Sequence, residues 1–149
     1  MGSTLPQIVY QCCVWYPKVN IIKKWIAFID ASNKEKQVES IFKYEIIGRN
    51  CFLAAFDLMR YYFFETKVFP DSSIGLYDEI ESLIIYLLEL AEENDIDLSQ
   101  AMSQTNKAGS SFFQVASFYS EKITLELIKR NVKVNRIDNQ FSTPSMKVS

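Results

Sequence analysis

Residues 106–144 read NKAGSSFFQVASFYSEKITLELIKRNVKVNRIDNQFSTP, and the reading of the whole chain turns on this stretch. It has a polar entry containing Gly109, a short apolar helix over Ser111–Tyr119, a tight turn, and a second helix over Ser120–Arg130. The residues at the joints fit their places. Ser111 can cap the free N–H groups of the first helix. Ala116 and Ser117 are small enough for a neighbouring helix to lie close. Asn131 ends the second helix, where the backbone must turn left-handed and Asn tolerates it. Beyond Asn135, Asp138 lies 32 residues after Asn106, and Thr143-Pro144 suits a helix start.

Upstream, Gly48, Asn50, Cys51, Phe52, Ala55 and Phe56 repeat the same order of glycine, cap, apolar and small residues. The spacing predicts a strongly apolar helix over Asn50–Phe64, a loop over Lys67–Gly75 and the clearest helix of the chain over Leu76–Glu93. In that last helix Ile80, Leu83, Ile84, Leu87, Leu88 and Ala91 keep steps of three and four. A polar loop is expected over Asn94–Lys107. Before these lie a short buried helix over 5–15 and an amphipathic helix over 18–30 with Val19, Ile22, Trp25, Ile26 and Ile29 on one face. A third helix over Lys36–Tyr44 follows, with Asn33 as a candidate cap. Four glycines and four prolines are too few for a turn-rich sandwich or barrel. The expected fold is all-α, with about seven helices in antiparallel neighbours.

The 106–144 stretch resembles an ankyrin repeat, whose pattern runs D-x-x-G-x-T-P-L-H-x-A-A, then an apolar second helix, then G-A-x-x-N over about 33 residues. Asn106, Gly109, Ser111, Phe112, Phe113, Ala116 and Ser117 take the positions of the first part. Ile123, Leu127 and Ile128 lie in the second helix, Asn131 stands at its terminal Gly, and Asn135 at the closing Asn. In the upstream copy Asn94-Asp95-Ile96-Asp97 ends the second helix much as the family does, and an insertion over about Tyr62–Tyr77 separates its two helices. The His of the pattern, which in the family ties neighbouring repeats by hydrogen bonds, is Gln114 in one unit and Leu53 in the other. The resemblance implies a short ankyrin-like repeat stack with an N-terminal helical cap. Residues 1–45 would form the cap and 46–149 the repeats: 46–105 with its insertion, 106–137, and a partial unit over 138–149.

Charge and side-chain inventory narrow the function. Among 149 residues, 48% are hydrophobic, which excludes a wholly disordered chain. The net charge of −2 gives no reason to expect nucleic-acid binding. The charge is banded: residues 1–67 carry a net +3, Asp71–Asp97 holds nine acids and no base, and Lys107 onward carries +4. Such banding suits electrostatic choice of a protein partner, although a solvated helix face would look the same. No histidine occurs, so the commonest general base and zinc ligand is missing. Cys12, Cys13 and Cys51 are expected as buried free thiols in a reducing compartment. The apolar runs are too short to span a membrane and MGSTLPQ does not read as a signal peptide, so a cytoplasmic or nuclear protein is expected. The acids of Asp71–Asp97 lack the spacing of a calcium loop. Tyr61–Phe64 and Phe112-Phe113 read as core. No phosphate loop or nucleophile elbow occurs, so no enzyme, cofactor or metal is expected.

The expectation is a non-catalytic protein-interaction module, an adaptor or regulatory subunit. The resemblance assigns partner contacts to the hairpin fingers and the concave face. The candidate partner-binding residues are Lys107, Phe118, Tyr119, Arg136, Asn139 and Gln140, and the basic fingers suit an acidic partner surface. The acidic helix from Asp78 is a candidate second contact. Alternatives are an obligate structural subunit, self-associating or docking through the open C-terminal repeat edge, or a short ankyrin-type inhibitor of a signalling or transcription factor.

Overall fold

Apolar residues at steps of three and four set the course of nearly every element. The computed structural model describes residues 4–15, 17–105 and 109–130, with the backbone alone at 70–74. Eight helices occur among these residues: α1 (Leu5–Val14), α2 (Val19–Ala27), α3 (Lys34–Lys43), α4 (Cys51–Val68), α5 (Pro70–Glu93), α6 (Ser99–Met102), α7 (Phe112–Tyr119) and α8 (Glu121–Lys129). No strand forms among them. Two isolated backbone bridges, Ile46 with Arg49 and Thr105 with Ser111, mark the turns just before α4 and α7.

The α4–α5 hairpin is the centre of the molecule. Asn50 starts α4 by accepting a hydrogen bond from the Leu53 amide at 3.1 Å, and every residue from Cys51 to Phe56 is buried. In α5 the periodic residues Ile80, Leu83, Ile84, Leu87, Leu88 and Ala91 are all buried, as their spacing requires. The end of α5 is a Schellman cap. Asp95 takes a left-handed φ of 55°, and the amides of Asp95 and Ile96 bond back to the carbonyls of Glu92 and Ala91 at 3.2 and 2.8 Å.

A second, shorter hairpin, α7–α8, stacks on the first with like helices side by side. The Phe112 ring lies 5.0 Å from Phe52 and 3.8 Å from Phe56, near the start of α4. The Tyr119 ring lies 5.1 Å from Phe63 and 5.8 Å from Phe64, about two to three turns further along α4. So α7 runs parallel to α4. Ser120 meets Glu81 and Arg130 meets Glu89 and Glu92, so α8 runs parallel to α5. Ala55 and Ala116, the small residues of the two units, are both completely buried.

Helices α1, α2 and α3 also pack on α4 and α5. Lys18 pairs with Glu79 at 3.3 Å, Lys23 lies over the Tyr86 ring, and Phe42 stacks flat on Phe52 at 5.6 Å. One hydrophobic core runs through all of these elements.

Several local expectations change. The 67–75 stretch is helix rather than loop from Pro70 onward. Pro is favoured in the first turn of a helix, where its missing N–H costs nothing, so Pro70 opens α5 instead of breaking it. The segment read as an insertion is thus the lengthening of both hairpin arms. The 94–107 loop contains the single turn α6. Asn33 stands at the N-cap of α3 without a side-chain capping bond. Trp25 is 44% exposed, since α2 buries only Ile22 and Ile26. Tyr61 and Phe64 are exposed: only the first half of α4 is enclosed by its neighbours.

Candidate partner interface

The two hairpins begin with the same chemistry. Gly48 and Gly109 take left-handed φ values of 72° and 81°, two residues before their caps Asn50 and Ser111. Ser111 accepts from the Gln114 amide at 3.3 Å, while the Gln114 carboxamide oxygen accepts from the Ser111 amide at 2.7 Å, a full capping box. The residue at the family's His position therefore caps its own helix. Asn50, at the start of the other hairpin, bonds beyond its own helix. The Asn50 amide donates to Gln104 Oε1 at 3.1 Å, and Asn50 Nδ2 donates to the Ala101 carbonyl at 2.9 Å. Gln104 Nε2 reaches the Glu45 carboxylate at 2.5 Å. The connection over 94–105 is thereby bonded to the start of α4. A lone Asn at a helix start signals a cap, but nothing in the sequence signals its second bond 51 residues away.

Of the candidate residues, the structure describes Phe118 and Tyr119; Lys107, Arg136, Asn139 and Gln140 lie outside the described residues. Phe118 and Tyr119 adjoin but differ. Tyr119 is half-buried among Phe63, Phe64 and Phe118, and its carbonyl accepts from the Tyr77 hydroxyl. Phe118 is 75% exposed. Together with Phe64, it leaves an aromatic ridge open to solvent where α7 ends beside the outer half of α4. Lys67 sits 4.9 Å over the Phe63 ring, a cation on the same ridge.

Behind the ridge lies a polar knot. Ser120 caps α8 by accepting from the Ile123 amide at 3.0 Å, and its hydroxyl donates to the buried Glu81 carboxylate. Burial, reinforced by the Glu81 charge, pushes the nearby Tyr77 hydroxyl up to about 12. Glu81, inside the acidic band, is enclosed because α8 begins directly over it.

Part of the acidic band is engaged within the fold. Lys18 holds Glu79, and Arg130 lies among Glu126, Glu92 and Glu89 with its side chain only 11% exposed. The Arg130 guanidinium holds the Glu126 carboxyl below the usual glutamate value. Arg130 Nε lies 3.3 Å from Glu92, at an angle that makes an ion pair without a hydrogen bond.

Cys12, Cys13 and Cys51 are free and buried. Hydrogen bonding to Cys51, and then burial, raises the Cys13 thiol well above its ordinary value, the opposite of an activated nucleophile. Among the described residues no group of three or more Cys, Asp or Glu could hold a metal, and no helix is long and apolar enough to cross a membrane. A cleft of about 490 Å³ between α3 and α6 is lined by Glu39, Glu45, Asn50, Asp97, Gln100 and Gln104, among others. Its Gln104 and Asn50 are already committed to internal bonds.

Protein-family models, curated proteins and solved structures were all compared with this chain, and none matches it.

Proposed function

We propose that the chain is a short, divergent ankyrin-like repeat module that binds a partner protein and carries out no catalysis. The observation that supports this most is the in-register stacking of α7–α8 on α4–α5, each hairpin entered through a left-handed glycine and a polar cap two residues later. Repeat stacks of this kind present rigid, extended surfaces on which a few exposed side chains set specificity. The exposed Phe118, beside the anchored Tyr119, is a suitable anchor: a large aromatic whose neighbours are already ordered loses little entropy on binding. The resemblance adds Lys107, Arg136, Asn139 and Gln140 as a basic and polar finger region, suited to an acidic partner surface. Its setting is proposed to be cytoplasmic or nuclear, in keeping with three free thiols.

The test is capture of partners from lysate by the wild type, by Phe118→Asp and by Arg136→Glu/Gln140→Glu, compared quantitatively by mass spectrometry. A protein held by wild type and lost by both variants supports binding through ridge and fingers. A protein held equally by all three contradicts it. The second reading, a subunit docked permanently in a larger assembly, draws on the exposed apolar residues Leu125 and Ile128 on the outer face of α8. It expects poor behaviour of the isolated chain in solution.

A further inference from the structure

We propose that the outward face of α8 pairs with the same face of a second copy, antiparallel and about a two-fold axis at Leu125. This goes beyond the binding of a foreign partner and stands without it.

The face follows from helix geometry. At roughly 100° per residue, Ile123 and Leu127, both completely buried, and the enclosed Arg130 point toward α5. Glu121, Leu125, Ile128 and Lys129 fall on the opposite side, and all four are exposed. Leu125 is 58% and Ile128 52% exposed, two branched aliphatic side chains on a nine-residue helix. Neither Glu121 nor Lys129 takes part in a salt bridge among the described residues.

Charge selects both the occupant and the orientation. In an antiparallel pair centred on Leu125, residues equally distant from it oppose one another. Glu121 of each copy then faces Lys129 of the other, and Lys122 lays its aliphatic stem over Ile128. Leu125 meets Leu125 on the axis. A parallel pair would set Glu121 against Glu121 and Lys129 against Lys129, which is repulsive, and the helix dipoles also favour the antiparallel arrangement. The face is therefore complementary to itself in one orientation. A nine-residue helix falls short of the roughly 1,200 Å² that stable complexes bury, so the dimer is weak, with a dissociation constant of about 10 μM or above.

Sedimentation equilibrium of the full chain, from about 1 to about 500 μM, brackets that range. The expected result is a reversible monomer–dimer equilibrium. Leu125→Glu places two carboxylates on the axis and should abolish it. Glu121→Lys and Lys129→Glu should each weaken it about tenfold, and the double exchange Glu121→Lys/Lys129→Glu should restore it. All these positions are exposed, and circular dichroism verifies that each variant keeps its helices; should Leu125→Glu unfold, the charge exchange alone decides. A chain that is monomeric throughout, a dimer indifferent to Leu125→Glu, or a double exchange that fails to restore association overturns the proposal. These readings involve self-association only, so they are separable from any result of partner capture.

Discussion

The α4–α5 and α7–α8 hairpins open alike and end differently. Each begins with a left-handed glycine, a short backbone bridge and a polar cap whose side chain bonds three residues on. Yet α4 has 18 residues against eight in α7, and α5 has 24 against nine in α8. The shorter hairpin turns at once, because Ser120 both follows α7 and caps α8. The longer one runs on through Tyr61–Val68 and Pro70–Leu76, and leaves Tyr61, Phe64 and Val68 exposed. The longer hairpin therefore contributes both to the core and, through its extension, to the exposed surface.

The largest expected difference lies within α4 itself. Phe52 is buried between Phe42 and Phe112, and Phe52→Ala should cost about 3–5 kcal/mol. Tyr61, 59% exposed on the outer half, should cost under about 1 kcal/mol on the same change. Urea denaturation of the two variants measures both, and equal losses would mean that the outer half of α4 is packed like the inner.

The two caps give the next contrast. Asn50 caps α4 and also holds the 94–105 connection by its side chain and amide through Ala101 and Gln104, whereas the Ser111 side chain serves its own capping box with Gln114. Asn50→Ala should cost about 2–3 kcal/mol and Ser111→Ala about 1 kcal/mol. Similar values from thermal melts would remove the link between α4 and the 94–105 connection from the account.

Smaller still is the charge link between α8 and α5. Arg130→Ala should destabilise the chain by about 1–2 kcal/mol at neutral pH. Because Glu126 is held below its unfolded value, its contribution is complete above the ordinary glutamate range and is lost as pH falls through the lowered value. The gap between wild type and Arg130→Ala, followed by denaturation at successive pH values, should therefore narrow in acid; a constant gap would mean the charges matter less than the packing.

How much of this was legible in the sequence depended on how local each signal was. The all-α class and the buried face of α5 were readable because periodicity is a local signal and Ile80 through Ala91 keep it without a break. The cap residues at 50 and 111 were readable for the same reason. The 67–75 stretch misled because Pro, Asp, Ser and Gly favour turns on average, while Pro70 at a first helical turn favours the opposite. Glu81 is buried inside a mostly exposed acidic band, whereas Tyr61 and Phe64, expected in the core, are exposed. Burial depends on what another part of the chain places over a residue, and neither α8 over Glu81 nor the absence of a cover over Tyr61 is written locally. Of the candidate interface, sequence pattern picked out Phe118 and Tyr119 together; that one is anchored and the other exposed came only from the packing of α7 on α4.

The central claim is that α7 stacks parallel to α4. Nuclear Overhauser contacts between aromatic side chains of the full chain test it most directly. Contacts from Phe112 to Phe52 and Phe56, together with contacts from Tyr119 to Phe63 and Phe64, are the predicted result. Contacts in the reverse order, Phe112 to Phe63 and Tyr119 to Phe52, would contradict it and remove the repeat architecture on which the functional proposal depends.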